Sequence, residues 1–88
     1  MKYTVVWKPS AERALIEIWT DATDRQAITN AADTIDALLR TDPASVGESR
    51  EGDVRLLYVW PVAVYYDVSL EYRRVAVWAV WQHLQAVN

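Results

Sequence analysis

The sequence predicts an α+β domain of order β-α-α-β-β-β, a small, twisted, mainly antiparallel sheet with an αα-hairpin packed on one face. Three observations predict it. Residues 3–8 and the run from Val54 to Gln82 are rich in β-branched and aromatic residues, as strands are. Residues 11–39 carry their apolar residues at helical spacing instead. Most separators between these runs are short, and 88 residues with 52% hydrophobic and 24% charged composition fit one globular domain, residues 1–88.

The first strand is YTVVWK, residues 3–8, with Tyr3, Val5 and Trp7 on one face and Thr4, Val6 and Lys8 on the other; Pro9 ends it. Ser10 then offers an N-cap. Ala11, Ala14, Leu15, Ile18, Trp19 and Ala22 form one helical stripe, opposite Glu12, Arg13, Glu17 and Asp21. After a break of one or two residues, Thr23 or Asp24 caps a second helix. Its stripe runs Ile28, Ala31, Ala32, Ile35, Leu38, Leu39 until Asp42-Pro43 stops it. Ala44 to Asp53 holds both glycines and no periodic pattern, which reads as a surface loop. VRLLYVWPVAVYYDV and RRVAVWAVWQ then supply three strands, the last two joined through SLEY. A turn of the two residues Trp60-Pro61, or of four centred there, sets Val59 against Val62, Leu57 against Val64 and Arg55 against Tyr66, and a three-residue loop shifts this by one; a cis bond suits Pro61 there. The last strand is apolar on both faces, with Val75, Val77, Ala79 and Trp81 on one and Ala76, Trp78 and Val80 on the other, which predicts a central strand covered on both sides. HLQAVN reads as a tail or a single helical turn.

A chain this short buries only about 60 to 65% of its unfolded surface, so five Trp and five Tyr, with no Phe, are expected to supply much of the core. With no Cys and one His, disulfides and thiol chemistry are excluded, and a His-based zinc site cannot be built from His alone; neither metal nor cofactor is expected. The opening MKYTVVWKPSAER has a short apolar run cut by Lys8 and Pro9, so it reads as neither signal peptide nor anchor, and a cytoplasmic location is expected. The net charge of −3 is spread over both halves without a basic tail, which argues against bulk attraction to nucleic acid.

The order and spacing of these residues resemble the RelE/ParE toxins of bacterial type II toxin–antitoxin systems. Tyr3-x-Val5-x-Trp7-x-Pro9-x-Ala11, with Leu15 and Ile18, looks like the family's strand-to-helix opening. Arg55-x-Leu57-x-Val59-x-Pro61-x-x-Val64-x-Tyr66-x-Val68 and Val75-x-Val77-x-Ala79-Val80-Trp81 look like its hairpin and final strand, with Asp42-Pro43 and Gly47-Glu48 in the connecting loop. The resemblance runs from residue 3 to about residue 83. It implies a growth-inhibiting, plasmid-stabilisation type of toxin, neutralised by a cognate antitoxin. RelE-like members cleave mRNA in the ribosomal A site and ParE-like members poison DNA gyrase; the fold alone does not choose.

Metal-free RNA cleavage by a ribose 2′-oxygen needs a base, an acid and cationic donors for the phosphorane. Arg55 is the one charge between Val54 and Tyr66 and matches the arginine that RelE-like nucleases place at their phosphate site; its structural alternative is pairing with Asp53 or Glu48. Glu48 sits in the loop where YoeB-like nucleases carry a general base, and His83 lies just past the last strand, where an imidazole can serve as acid or base. Each is otherwise a solvated surface group, and Gln82 and Leu84 do not reproduce the His-Tyr ending of the YoeB-like enzymes. Arg50 can help hold a phosphate or can balance Glu48 and Glu51. Arg73, one of an adjacent basic pair with Arg74, and Tyr66, which with Tyr65 can stack a base or serve as core, complete the target-binding candidates. The only lysines are Lys2 and Lys8, far upstream, which excludes the lysine-based RelE mechanism.

The favoured expectation is therefore a ParE-like toxin acting by binding. The alternatives are a ribosome-dependent mRNA endonuclease using Arg55 with Glu48 or His83, and a decayed, non-toxic member. For all three, Trp60, Trp78 and Trp81 are expected to be exposed and to meet the antitoxin, because they are more aromatic area than two short helices need to cover.

Overall fold

The computed structural model describes residues 2–83. Strand β1 (Thr4–Trp7) leads into helix α1 (Pro9–Asp21), helix α2 (Arg25–Thr41), a short helix α3 (Pro43–Val46) and strands β2 (Glu48–Ser49), β3 (Val54–Val59), β4 (Val62–Ser69) and β5 (Arg74–Gln82). The sheet order is β1-β5-β4-β3-β2; β1 runs parallel to β5 and every other pair is antiparallel. The predicted α+β class and element order hold. The supposed loop from Ala44 to Asp53 is the exception. Pro43 at the first helical position starts a turn of helix, and Glu48 and Ser49 pair with Leu56 and Arg55 as a two-residue edge strand. An edge strand this short carries no periodicity to read.

α1 begins one residue before Ser10. Pro9 takes the N1 position, where its missing N–H costs no intrahelical bond, and no side chain caps the helix, because the N-cap residue is Lys8 and an ammonium has no acceptor to offer. Three residues, Ala22 to Asp24, separate the two helices, and Asp24 caps α2 by accepting a hydrogen bond from the Ala27 N–H. The β3–β4 register is the predicted one, with Arg55 opposite Tyr66, Leu57 opposite Val64 and Val59 opposite Val62. The Trp60–Pro61 peptide in the turn is cis.

Both long helices cover one face of the sheet. Ala11, Ile28, Ala31, Ile35 and Leu39 pack on Leu57, Val62, Val64, Tyr66, Val75, Val77 and Val80. This core is aliphatic, contrary to the expected reliance on aromatics: Tyr66 is the single large ring fully buried among the described residues, and no tryptophan is. The indoles sit at the margins, where two of them find acceptors for their N–H groups. Trp7 donates to Asp36 at 3.2 Å and Trp19 to Thr29 at 3.2 Å.

The last strand also departs from its predicted faces. Tyr66 is opposite Val77 but Tyr65 is opposite Ala79, so Trp78 is an extra residue on β5, a β-bulge. Beyond it the alternation is inverted: Val80 joins Val75 and Val77 under the helices, while Trp81 turns to the other side beside Ala63. β5 is interior to the sheet, as predicted, but covered on one face only.

Candidate functional site

The register sorts every candidate residue by face. Arg55, Leu57 and Val59 share the helix side with Tyr66, Val64 and Val62, whereas Leu56 and Tyr58 share the open side with Tyr65 and Ala63. Arg55 is therefore turned inward. It donates to the Gly47 carbonyl oxygen at 2.6 Å, and its Nε is buried against no acceptor of the protein. It pairs with neither Asp53 nor Glu48, the carboxylates expected for it; Glu48 instead bridges to Arg50 at 3.0 Å. Tyr66, expected to help bind a target, has 0% exposure, and its hydroxyl donates to the Pro43 carbonyl at 2.8 Å. Its ring is core and its hydroxyl is committed, so the ring available for stacking is that of Tyr65. Arg55 and Tyr66 thus tie Gly47 and Pro43 to the sheet from below. Gly47 fits because it lacks a Cβ: one there would strike the Tyr66 hydroxyl and lie 2.7 Å from the Leu56 carbonyl oxygen.

The open face of the sheet carries no second layer among the described residues. The bulge puts Trp78 and Ala79 on it side by side, and Trp78 stacks on Tyr65 with centroids 5.4 Å apart. Trp81 meets the same Tyr65 ring at 4.9 Å. At the end of this face toward the β3–β4 turn lies a cleft of about 380 Å³, lined by Val46, Gly47, Glu48, Leu56, Leu57, Tyr58, Ala63, Trp81 and His83. The His83 N–H donates to the Pro61 carbonyl at 2.7 Å, its carbonyl accepts from the Tyr58 hydroxyl at 3.2 Å, and the two rings lie 4.9 Å apart.

The structure thus brings Glu48 and His83 to one cleft and leaves Arg55 on the other side of the sheet, beside a separate hollow of about 170 Å³ with Ala44, Gly52, Asp53, Val68 and Leu70. Arg73 is farther still. It precedes β5 while His83 follows it, and its guanidinium lies over the Tyr3 ring at 5.6 Å. Trp60, 54% exposed, lies at the hairpin tip beside α2 with Ala27, Asn30 and Thr34, away from Trp78 and Trp81. The three tryptophans form two surfaces rather than one.

Chemically, the cleft offers a carboxylate and an imidazole for proton transfer and an apolar, aromatic wall. It offers no lysine or arginine among its lining residues. Among the described residues no group of three His, Cys, Asp or Glu is placed to hold a metal ion, and no helix is long and apolar enough to cross a membrane. Leu56 and Tyr58 were not singled out from the sequence, although the hairpin register places them, with Tyr65, opposite Arg55's face. Gly47 left only a weak signal, one of two glycines in the chain.

No protein-family model and no curated protein matches the chain. Solved structures do. The toxin–antitoxin complex RelBE2 from Mycobacterium tuberculosis superposes with a TM-score of 0.77 at 19% identity, over 94% of this chain and 100% of that one. A chromosomal ParDE TA system from P. aeruginosa gives 0.72 at 15% identity, over 96% and 98%. The isolated E. coli RelE toxin gives 0.64 at 18% identity, over 96% and 87%. Structures from both branches match over nearly the whole length, so the likeness reports the fold and leaves function to the site.

Proposed function

We propose that this chain, which has the RelE/ParE toxin fold, is the toxin of a type II toxin–antitoxin pair, acts in the ParE-like manner by binding a protein target such as DNA gyrase, and is neutralised by a cognate antitoxin. The observation that carries the reading is that no lysine or arginine is among the residues lining the open cleft, with Arg55 turned away beneath the sheet. A phosphorane bears charge that must be met by donors aimed at it, and an apolar, aromatic wall is what a protein surface seeks instead. The test is a supercoiling assay with purified chain. Inhibition that is reversed by the product of the adjacent reading frame is the expected result, and full gyrase activity at saturating chain refutes the gyrase target.

One observation favours a second reading. Glu48 and His83 line the same cleft, and a carboxylate with an imidazole is a general base and acid set for ribosome-dependent mRNA cleavage. Primer extension on translated mRNA decides it: new 5′ ends on induction, lost in Glu48→Gln and His83→Ala, support the nuclease, and unchanged transcripts reject it. Growth unaffected by expression without the partner identifies a decayed, non-toxic member.

A further inference from the structure

Two grooves flank α1, and both combine an apolar floor with a rim of carboxylates. On the side facing α2, Trp7, Leu15 and Ala32 floor a groove of about 260 Å³ whose rim is Glu12, Asp33 and Asp36. On the other side, Ala14, Ile18 and Val80 floor a groove of about 330 Å³ that Glu17, Asp21, Trp81 and Gln82 also line. Asp36 is engaged by Arg40 at 2.6 Å and by the Trp7 N–H at 3.2 Å. Glu12, Glu17, Asp21 and Asp33 have no side-chain hydrogen bond or salt bridge among the described residues. No lysine or arginine lines either groove, and Arg13, the one cation of α1, lines neither.

We infer that α1 is the docking ridge for a cationic amphipathic segment of the antitoxin, whose apolar residues fill the two floors and whose arginines or lysines meet the four unpaired carboxylates. This rests on the toxin–antitoxin reading for the source of the segment, and on the grooves alone for its chemistry. The apolar floors argue against a bare metal ion, which would leave Trp7, Leu15 and Ile18 uncovered. The rims argue against an acidic segment, because like charges brought together at an interface repel. A guanidinium suits the groove on the α2 side, which Trp7, Glu12 and Asp33 line together, because a planar cation pairs with carboxylates and with aromatic faces alike. The grooves are separated by one helix diameter, roughly 10 Å, so cations one heptad apart on a partner helix reach both.

The test uses the full chain and two synthetic amphipathic helices, one of leucine and arginine and one of leucine and glutamate, followed by NMR. The arginine peptide is expected to shift the α1 amides and the Trp7 indole N–H, to bind at least about tenfold more tightly than the glutamate peptide, and to weaken with salt. In the Glu12→Gln/Glu17→Gln/Asp21→Asn/Asp33→Asn variant, with a thermal midpoint near the wild type's, that affinity is expected to fall at least about tenfold. Equal binding by the variant, preference for the glutamate peptide, or shifts confined to the open sheet face overturns the inference. The product of the adjacent short reading frame is then titrated in the same way. Binding weakened by the variant supports the antitoxin as the source, and binding unaffected by it overturns that. If the wild type does not bind this product at all, the toxin–antitoxin reading fails, and the peptide titration still decides the chemistry of the grooves.

Discussion

Replacing Gly47 by alanine tests how the cleft wall is attached to the sheet. Gly47 has φ −107° and ψ −178°, which any residue can adopt, so the requirement for glycine there is space and not backbone freedom. A Cβ would strike the Tyr66 hydroxyl and lie 2.7 Å from the Leu56 carbonyl oxygen and 3.2 Å from Tyr66 Cε1. None of these can step aside: Tyr66 is fully buried and bonded to Pro43, and Leu56 is paired to both Glu48 and Tyr65. Overpacking of this kind costs about 1 to 3 kcal/mol. If Gly47 retreats instead, the 2.6 Å bond from Arg55 lengthens, and a charged hydrogen bond contributes about 1.5 to 3 kcal/mol. The expected loss is about 1 to 3 kcal/mol, against a total that for this length is roughly 4 to 13 kcal/mol. At about 4 to 8 °C per kcal/mol, the thermal midpoint falls by roughly 4 to 24 °C. Urea unfolding followed by far-UV circular dichroism measures it, and the Tyr66→Phe background sharpens it. Removing the hydroxyl that the new methyl group would strike is expected to reduce the alanine cost by about 1 kcal/mol. A Gly47→Ala midpoint indistinguishable from wild type, or an alanine cost identical in both backgrounds, refutes the packing argument.

Arg55→Met keeps the side-chain stem and removes the bond to Gly47; it is expected to lower stability by about 1 to 3 kcal/mol while the protein that remains folded keeps the proposed target inhibition. Lost inhibition at an unchanged unfolding midpoint would show instead that Arg55 touches the target. Asp24→Ala removes the cap on the Ala27 N–H and is expected to cost about 1 kcal/mol in urea unfolding, with no change in target inhibition. Trp78→Ala leaves the core intact, because Trp78 is 36% exposed on the open face. It is expected to reduce binding of a hydrophobic dye and weaken association with the target; unchanged dye binding and unchanged inhibition would remove that face from the functional surface.

Much of this molecule was legible in the sequence because its determinants are local. The apolar spacing from Ala11 to Leu39 predicts two helices, and Asp24 and Pro43 mark their limits without reference to the rest of the chain. Trp60-Pro61 between symmetric valines marks a turn, and for a turn of two or four residues the partner of every β3 residue followed from counting. What counting could not supply is which face of the hairpin meets the helices. That choice is made when α2 packs, and it sends Arg55 inward to Gly47 while leaving Glu48 and His83 together on the open side.

The sequence by itself determined the order of the main elements and the absence of thiol chemistry, and narrowed the hairpin register to those a short turn at Trp60-Pro61 allows, since each depends on neighbours along the chain. Tertiary structure alone decided the faces. An alternation read along β5 assumes an unbroken period of two, and one extra residue at Trp78 reverses it, because β4 and β5 pair in two registers on either side of Tyr65 and Tyr66. Val80 is thereby buried and Trp81 set beside His83. That placement, together with the inward turn of Arg55, is what makes the open cleft aromatic rather than cationic.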